Sequence, residues 1–295
     1  MSYAATAALA PDNSTDANFR AWGSAISAKF ASMGLVNTTD TGQINWTTVT
    51  HPTTTNAKTG YEIWRFNDTL QSTVPLYLKI EYGSGGAANA PTLWISIGSG
   101  SNGSGTLTGQ LGWVQAKIGT SNANSTSTKN CVFSGDTGRV GMALWTDFST
   151  GACAWFIERT KNTDGTDSSL GFLFAFYASS ADSSFARAQQ FIPATGAVPG
   201  GNTDNNIFVP FGVTGGAYGS DTAVYPFLVN QGGSFLNAGM SHLGYFPADI
   251  TRDVTFTMTI YGATHTYYPL GGTSNLATCF RGNSPSGGTI AMRYE

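Results

Sequence analysis

Near the start of the chain, Phe19, Trp22, Ile26, Phe30 and Met33 recur at steps of three and four, the spacing of one helical face. Asp12, Ser14 and Thr15 offer N-cap oxygens before them, and Asp16 places negative charge near the first turn. Gly34 follows as a stop and Leu35 as its hydrophobic partner. The outward face is mostly Ala, Ser and Asn, with only Arg20 and Lys29 charged, and a solvent-facing helix usually carries more charge. Two readings stay open: a helix that plugs one end of its own β fold, or one that also lies against another subunit. In the second, Phe19, Trp22, Ile26 and Phe30 are the subunit-interface candidates.

After the helix the period switches to two. Glu62, Trp64 and Phe66 alternate with Tyr61, Ile63 and Arg65, and Leu76, Leu78, Ile80 and Tyr82 alternate with Tyr77, Lys79 and Glu81. Leu93, Ile95 and Ile97 continue the pattern, and Val254, Phe256, Met258 and Ile260 repeat it against threonines. Each is a half-buried strand. Ala152 to Thr160, Leu170 to Ala178, Ile207 to Val213 and Ala223 to Asn230 read as further strands. Pro210 and Pro226 interrupt two of them, which favours edges or bulges. About nine to twelve strands are expected, giving an all-β fold of antiparallel sheets, a β-sandwich or jelly-roll-like architecture, with one N-terminal α-helix. Residues 1–36 form an arm and amphipathic helix and residues 37–295 the β-sandwich region. The glycine-rich stretch at 98–110 is a possible subdivision.

Composition narrows the class. Charged residues are 11% of the 295 residues, against roughly 25% in an ordinary soluble domain. Ser and Thr number 67 and Gly 37, a bias toward strands and turns that excludes a helical bundle. Aromatic residues at 13% exclude disorder. A net charge of -3 argues against nucleic acid, since phosphate neutralisation needs a dense basic face. No apolar run approaches the roughly 18 residues of a membrane span. The first residues lack a basic and then apolar leader, so no secretory signal is expected. Cys131, Cys153 and Cys279 are odd in number and without CxxC spacing; a Cys131–Cys153 disulfide and buried thiols both remain open.

Candidate chemistry is sparse. No serine sits in a GxSxG elbow, and no phosphate-binding glycine motif opens a helix. Glu62, Glu81 and Glu158 each lie in a strand pattern near Arg65, Lys79 and Arg159, which fits cross-strand ion pairing better than acid–base work. The acidic stretch from Asn162 to Asp167 lacks the closing Glu of a calcium loop. The expectation is therefore no catalytic residue, no metal and no cofactor. Aromatic residues are the remaining candidates. Trp94 is out of phase with Leu93, Ile95 and Ile97, and Tyr267 and Tyr268 lie near a turn. Pointing outward, they would contact a glycan or a partner protein; pointing inward, they pack between sheets.

Three stretches, residues 18–46, 60–85 and 98–109, resemble structural proteins of tailed-bacteriophage virions. The likeness covers roughly the first 110 residues well, and its motifs are a helix, a Trp-bearing strand and a glycine loop. It carries no catalytic residues. It implies a particle component made in the host cytoplasm, built into the tail, baseplate or fibre region as a homo-oligomer, and contacting copies of itself and other virion proteins. The alternatives are a capsid decoration protein or a carbohydrate-binding module that recognises a host surface glycan. The segment Met1–Pro11 would be an arm reaching a neighbouring subunit.

Overall fold

A computed structural model describes residues 3–85, 88, 90–110, 116–119, 129–147, 151–161, 166–177, 185–191, 207–208, 225–231, 234–246, 255–260, 263–272 and 289–294. Strand β1 (Tyr3–Leu9) precedes helix α1 (Asp16–Ser32). There follow β2 (Val36–Asn37), β3 (Lys58–Arg65), β4 (Tyr77–Ser84), β5 (Pro91–Gly98), β6 (Gly100–Ser101), β7 (Leu107–Thr108) and β8 (Ala116–Gly119). The next six are β9 (Lys129–Asp136), β10 (Arg139–Asp147), β11 (Gly151–Lys161), β12 (Asp167–Tyr177), β13 (Phe185–Phe191) and β14 (Ile207–Phe208). The last five are β15 (Tyr225–Gln231), β16 (Ser234–Phe246), β17 (Phe256–Ile260), β18 (Ala263–Gly272) and β19 (Thr289–Arg293). Among the described residues the fold is all-β with one helix, as its hydrophobic pattern indicates. The nineteen strand segments among the described residues exceed the nine to twelve expected. Segments such as β9 and β16 are broken by Gly, Ser and Asn, and a period-two search passes over them.

Two sheets carry the architecture. The first, in the order β2-β3-β4-β5-β8, is antiparallel throughout. The second runs β1-β9-β10-β11-β16-β19-β18-β17, with β12 and β13 continuing from β11, and β15 and β14 from β16. Its end folds back over its own outer face: Ser134 Oγ on β9 donates to the Arg293 carbonyl at 2.7 Å, and Thr6 Oγ1 lies 3.1 Å from the Tyr294 hydroxyl. Pro226 sits at a shift in the β15–β16 register, the bulge that a missing N–H imposes.

The segment expected to reach out as an arm is instead β1, paired residue for residue with β9 from Tyr3↔Gly135 to Leu9↔Lys129. The 98–110 stretch is not a domain boundary either. It folds as the β6–β7 hairpin, and β8 beyond it rejoins β5 in the same sheet. Its glycines answer to geometry: Gly105 has φ +88, and a Cβ there would lie 2.4 Å from the Tyr61 ring.

Helix α1 is stopped at both ends as its sequence dictates. The Thr15 side chain accepts from Asn18 N–H at 3.2 Å. At the other end Leu35 N–H bonds Phe30 O and Gly34 N–H bonds Ala31 O, the paired closure that needs the left-handed Gly34 (φ +93). Its apolar stripe lies between the two sheets. Phe30 touches Trp64 of the first sheet and Phe133 and Trp155 of the second, with ring centroids 5.9, 6.3 and 5.6 Å away. Each such aromatic contact adds about 0.5–1.5 kcal/mol beyond its buried area. Trp22 meets Tyr82 edge-on, and Phe19 meets Trp46. One continuous core joins α1 to both sheets.

Gly23 is where the helix presses closest: a Cβ there would lie 1.9 Å from the Trp46 ring. That ring cannot easily yield, because its Nε1 is bonded to Glu62 and its face is met by Tyr82 at 4.8 Å. In an open helix Gly→Ala gains about 1 kcal/mol. Here Gly23→Ala is expected to destabilise by about 1–3 kcal/mol through overpacking, seen as a lower midpoint in urea unfolding.

Candidate functional site

Glu62 lies on the face of β3 that meets the helix and is 5% exposed. Its Oε1 accepts from Ser27 Oγ at 2.7 Å and Trp46 Nε1 at 3.0 Å; its Oε2 accepts from Tyr82 Oη at 2.7 Å and Trp64 Nε1 at 3.3 Å. The carboxylate thereby ties α1, the segment after it, β3 and β4 together. Burial, with the adjacent Glu62 charge and bond, pushes the Tyr82 phenol well above its usual range, so it stays a donor. A carboxylate with four donors has its lone pairs engaged and is not presented to a substrate. The strand pattern predicted an ion pair with Arg65 instead. Four neutral donors converging from distant positions carry no local spacing by which they could be read.

The remaining charged groups also join elements. Asp68, between β3 and β4, receives two hydrogen bonds from Arg159 of β11, through Nε at 2.5 Å and Nη2 at 3.2 Å. The side chains are 8% and 1% exposed, so this pair links the two sheets inside the protein. Asp40 accepts from Ser101 Oγ, from Thr38 Oγ1 at 2.7 Å and from Gly105 N–H at 3.0 Å. Burial alone would raise its carboxyl, but these bonds and the Gly103 N–H outweigh it and hold the group below its ordinary value. The Tyr61 hydroxyl donates to Thr41 O in the same loop. As the pattern suggested, Glu81 pairs with Lys79 at 3.5 Å, and Lys58 joins them at 2.7 Å.

At the start of α1, Asp16 Oδ1 lies 2.5 Å from His51 Nδ1 and also accepts the His51 backbone N–H at 2.9 Å. The ring bond is the main cause of the lowered Asp16 pKa. An imidazole oriented by a carboxylate is one part of a general-base device, but the surroundings here are those of a chain clasp. Arg20 Nε and Nη2 donate to Val49 O and Thr48 O at 2.6 and 3.0 Å. Among the described residues no hydroxyl or thiol bonds the His51 ring. Nor do they contain a group of three or more His, Cys, Asp or Glu side chains placed to hold a metal ion.

The residues expected to face partners turn inward. Phe19, Trp22, Ile26 and Phe30 are 0, 2, 0 and 0% exposed. They are packed against the chain's own sheets, because the periodicity marks a buried face without naming what buries it. Trp94 does lie across the strand from Leu93, Ile95 and Ile97, yet β5 is buried along its whole length. The Lys58 ammonium lies 5.4 Å from the Trp94 ring centroid, so the indole is not a platform for sugar. Tyr267 and Tyr268 are buried as well, Tyr267 stacked on Phe256 at 5.8 Å and Tyr268 against Tyr294 at 6.3 Å. Cys131 is buried and forms no disulfide. Most of the Asn162–Asp167 stretch lies outside the described residues.

What α1 shows to solvent is its other side: Ala17, Asn18, Ala21, Ala28 and Ala31 are exposed. Beside it runs β1, with Thr6 and Ala8 exposed. Between the end of β1 and α1 opens a cleft of about 440 Å³, lined by Leu9, Ala10, Asp12, Asn18 and Trp22 among others. Asp12 accepts from Ser14 N–H at 2.8 Å and from Asn18 Nδ2 at 2.7 Å, which shapes the mouth of the cleft. No protein-family model and no curated protein matches this chain.

Two outcomes follow from the polar joins. Asp68→Ala leaves the buried Arg159 guanidinium uncompensated and is expected to cost about 3–5 kcal/mol in urea unfolding. Asp40, with its pKa below 3.8, contributes stability that is complete above that value and lost as pH falls through the folded-state pKa. Asp40→Asn is therefore expected to flatten the fall of the melting temperature as the solution is acidified below about pH 4.

Proposed function

We propose that this protein is a non-catalytic structural subunit of a tailed-bacteriophage virion, assembled as a homo-oligomer in the tail, baseplate or fibre region. The observation that carries the reading is the cleft between β1 and α1, whose exposed lining residues are uncharged. Exposed Ala8 lines the same cleft as exposed Asn18 and Ala21. Charges at the centre of an interface must be desolvated at a cost, and a chain with 11% charged residues avoids that cost. The buried carboxylates support the same reading, since their lone pairs serve the fold. The likeness of residues 18–46, 60–85 and 98–109 to virion structural proteins supplies the particle. Host-glycan recognition loses its candidates, because Trp94, Tyr267 and Tyr268 are buried.

Peptide mass spectrometry and antibody labelling of purified particles of the encoding phage test this. The expected result is several copies per particle with label on the tail or its tip. Label over the head would move the subunit to capsid decoration. Its presence in infected cells but not in particles would overturn the reading.

A further inference from the structure

Strand β1 lies at one end of its sheet, and among the described residues β9 is its one partner. Every second residue of such a strand directs its N–H and C=O away from that partner. Proteins usually guard an edge of this kind with Lys, Pro or a bulge. The sequence YAATAAL has no charge and no proline, and its register with β9 runs without a shift. An unguarded edge of seven residues is a template for another extended strand.

We infer that the occupant is β1 of a second copy of this chain, paired antiparallel about a two-fold axis at Thr6. This rests on the assembly reading above and names its surface. In that register Thr6 opposes Thr6, Ala5 opposes Ala7, Ala4 opposes Ala8, and Tyr3 falls opposite Leu9 of the other copy. Opposed positions share parity, so like faces meet. The Ala7 and Leu9 side continues each core into its neighbour, and the Thr6 and Ala8 side stays in solvent. No like charges oppose, and the small side chains let the backbones approach. The same patch serves both copies, the isologous contact that closes a dimer.

The cleft falls where this pairing ends. The start of the incoming strand arrives beside Leu9 and Ala10, against the wall that holds Asp12, Asn18 and Trp22. Trp22, whose Nε1 is buried and has no acceptor among the described residues, is one of the residues lining that wall. Exposed Asn18 and Ala21 of α1 flank the same cleft.

Light scattering on size-exclusion fractions of the full chain, over a range of loading concentrations, tests the pairing. The wild-type chain is expected at dimer mass or an even multiple of it. Thr6→Lys and Thr6→Glu each place like charges together at the axis and are expected to weaken association about tenfold or more; an equimolar mixture of the two restores it. Circular dichroism shows whether each variant is folded. A second pair decides the matter if the Thr6 variants are not. Ala8→Lys alone weakens association, and Ala4→Glu added to the same chain restores it, because the register opposes positions 4 and 8. A monomer at every concentration, an odd oligomer, or folded variants that keep the wild-type mass would each overturn the inference. In the last case the chain still assembles, so the assembly reading stands while the edge falls.

Discussion

The constraint on which the rest depends is that one helix faces two sheets at once. Phe30 is the point where this is sharpest, its ring held by Trp64 on one side and by Phe133 and Trp155 on the other. A helix in that position must be apolar over a wide arc, short in side chain where a ring presses against it, and stopped at the same residue every time. Phe19, Trp22, Ile26 and Phe30 provide the arc, Gly23 the close approach to Trp46, and the Gly34–Leu35 closure the stop. Without α1 the two sheets would share far less apolar surface, since the core cluster runs through it from Leu78 and Ile80 to Val140 and Ile157.

Apolar packing holds surfaces together but does not register them. That task falls to three polar joins. Glu62 fixes the helix against the first sheet through Ser27, Trp46, Trp64 and Tyr82. The Asp68–Arg159 pair fixes the first sheet against the second. Asp40 fixes the β6–β7 hairpin through Ser101 and Gly105. A buried carboxylate is tolerable only when its bonds are complete, so each join is also a demand that its partners stay in place. The scarcity of charge in this chain therefore has a double character. Many of the few charged groups present are committed to internal joins, and the exposed residues at the β1–α1 cleft, Ala8, Asn18 and Ala21, carry no charge.

Much of this was legible in the residues, and what was not has a physical reason. The helix could be placed from its spacing and caps, and the alternation around Glu62, Leu78 and Leu93 marked three neighbouring strands, because period and burial are local properties. The phase of Trp94 was also readable, but not that its face is covered, since cover comes from elsewhere in the chain. The same limit turned the stripe of Phe19, Trp22, Ile26 and Phe30 into an apparent subunit contact. The glycines at 98–110 looked like a linker, although Gly105 is required by its φ and by Tyr61. The donors of Glu62 come from Ser27, Trp46, Trp64 and Tyr82, and no spacing announces such a set. The β1 edge was hidden for a different reason: an Ala-rich segment before a helix reads as an arm until the strand it pairs with is known.

The central claim is that α1 and the two sheets form one cooperative core. Native-state hydrogen exchange read by mass spectrometry tests it most directly, because amides that open only with global unfolding share one free energy. The account predicts that the amides of α1 from Phe19 to Phe30 exchange as slowly as those of β4 and β10, and that all three speed up together as denaturant rises. Exchange of the α1 amides orders of magnitude faster, with both sheets still protected, would show a helix merely laid on a finished β fold and would contradict it.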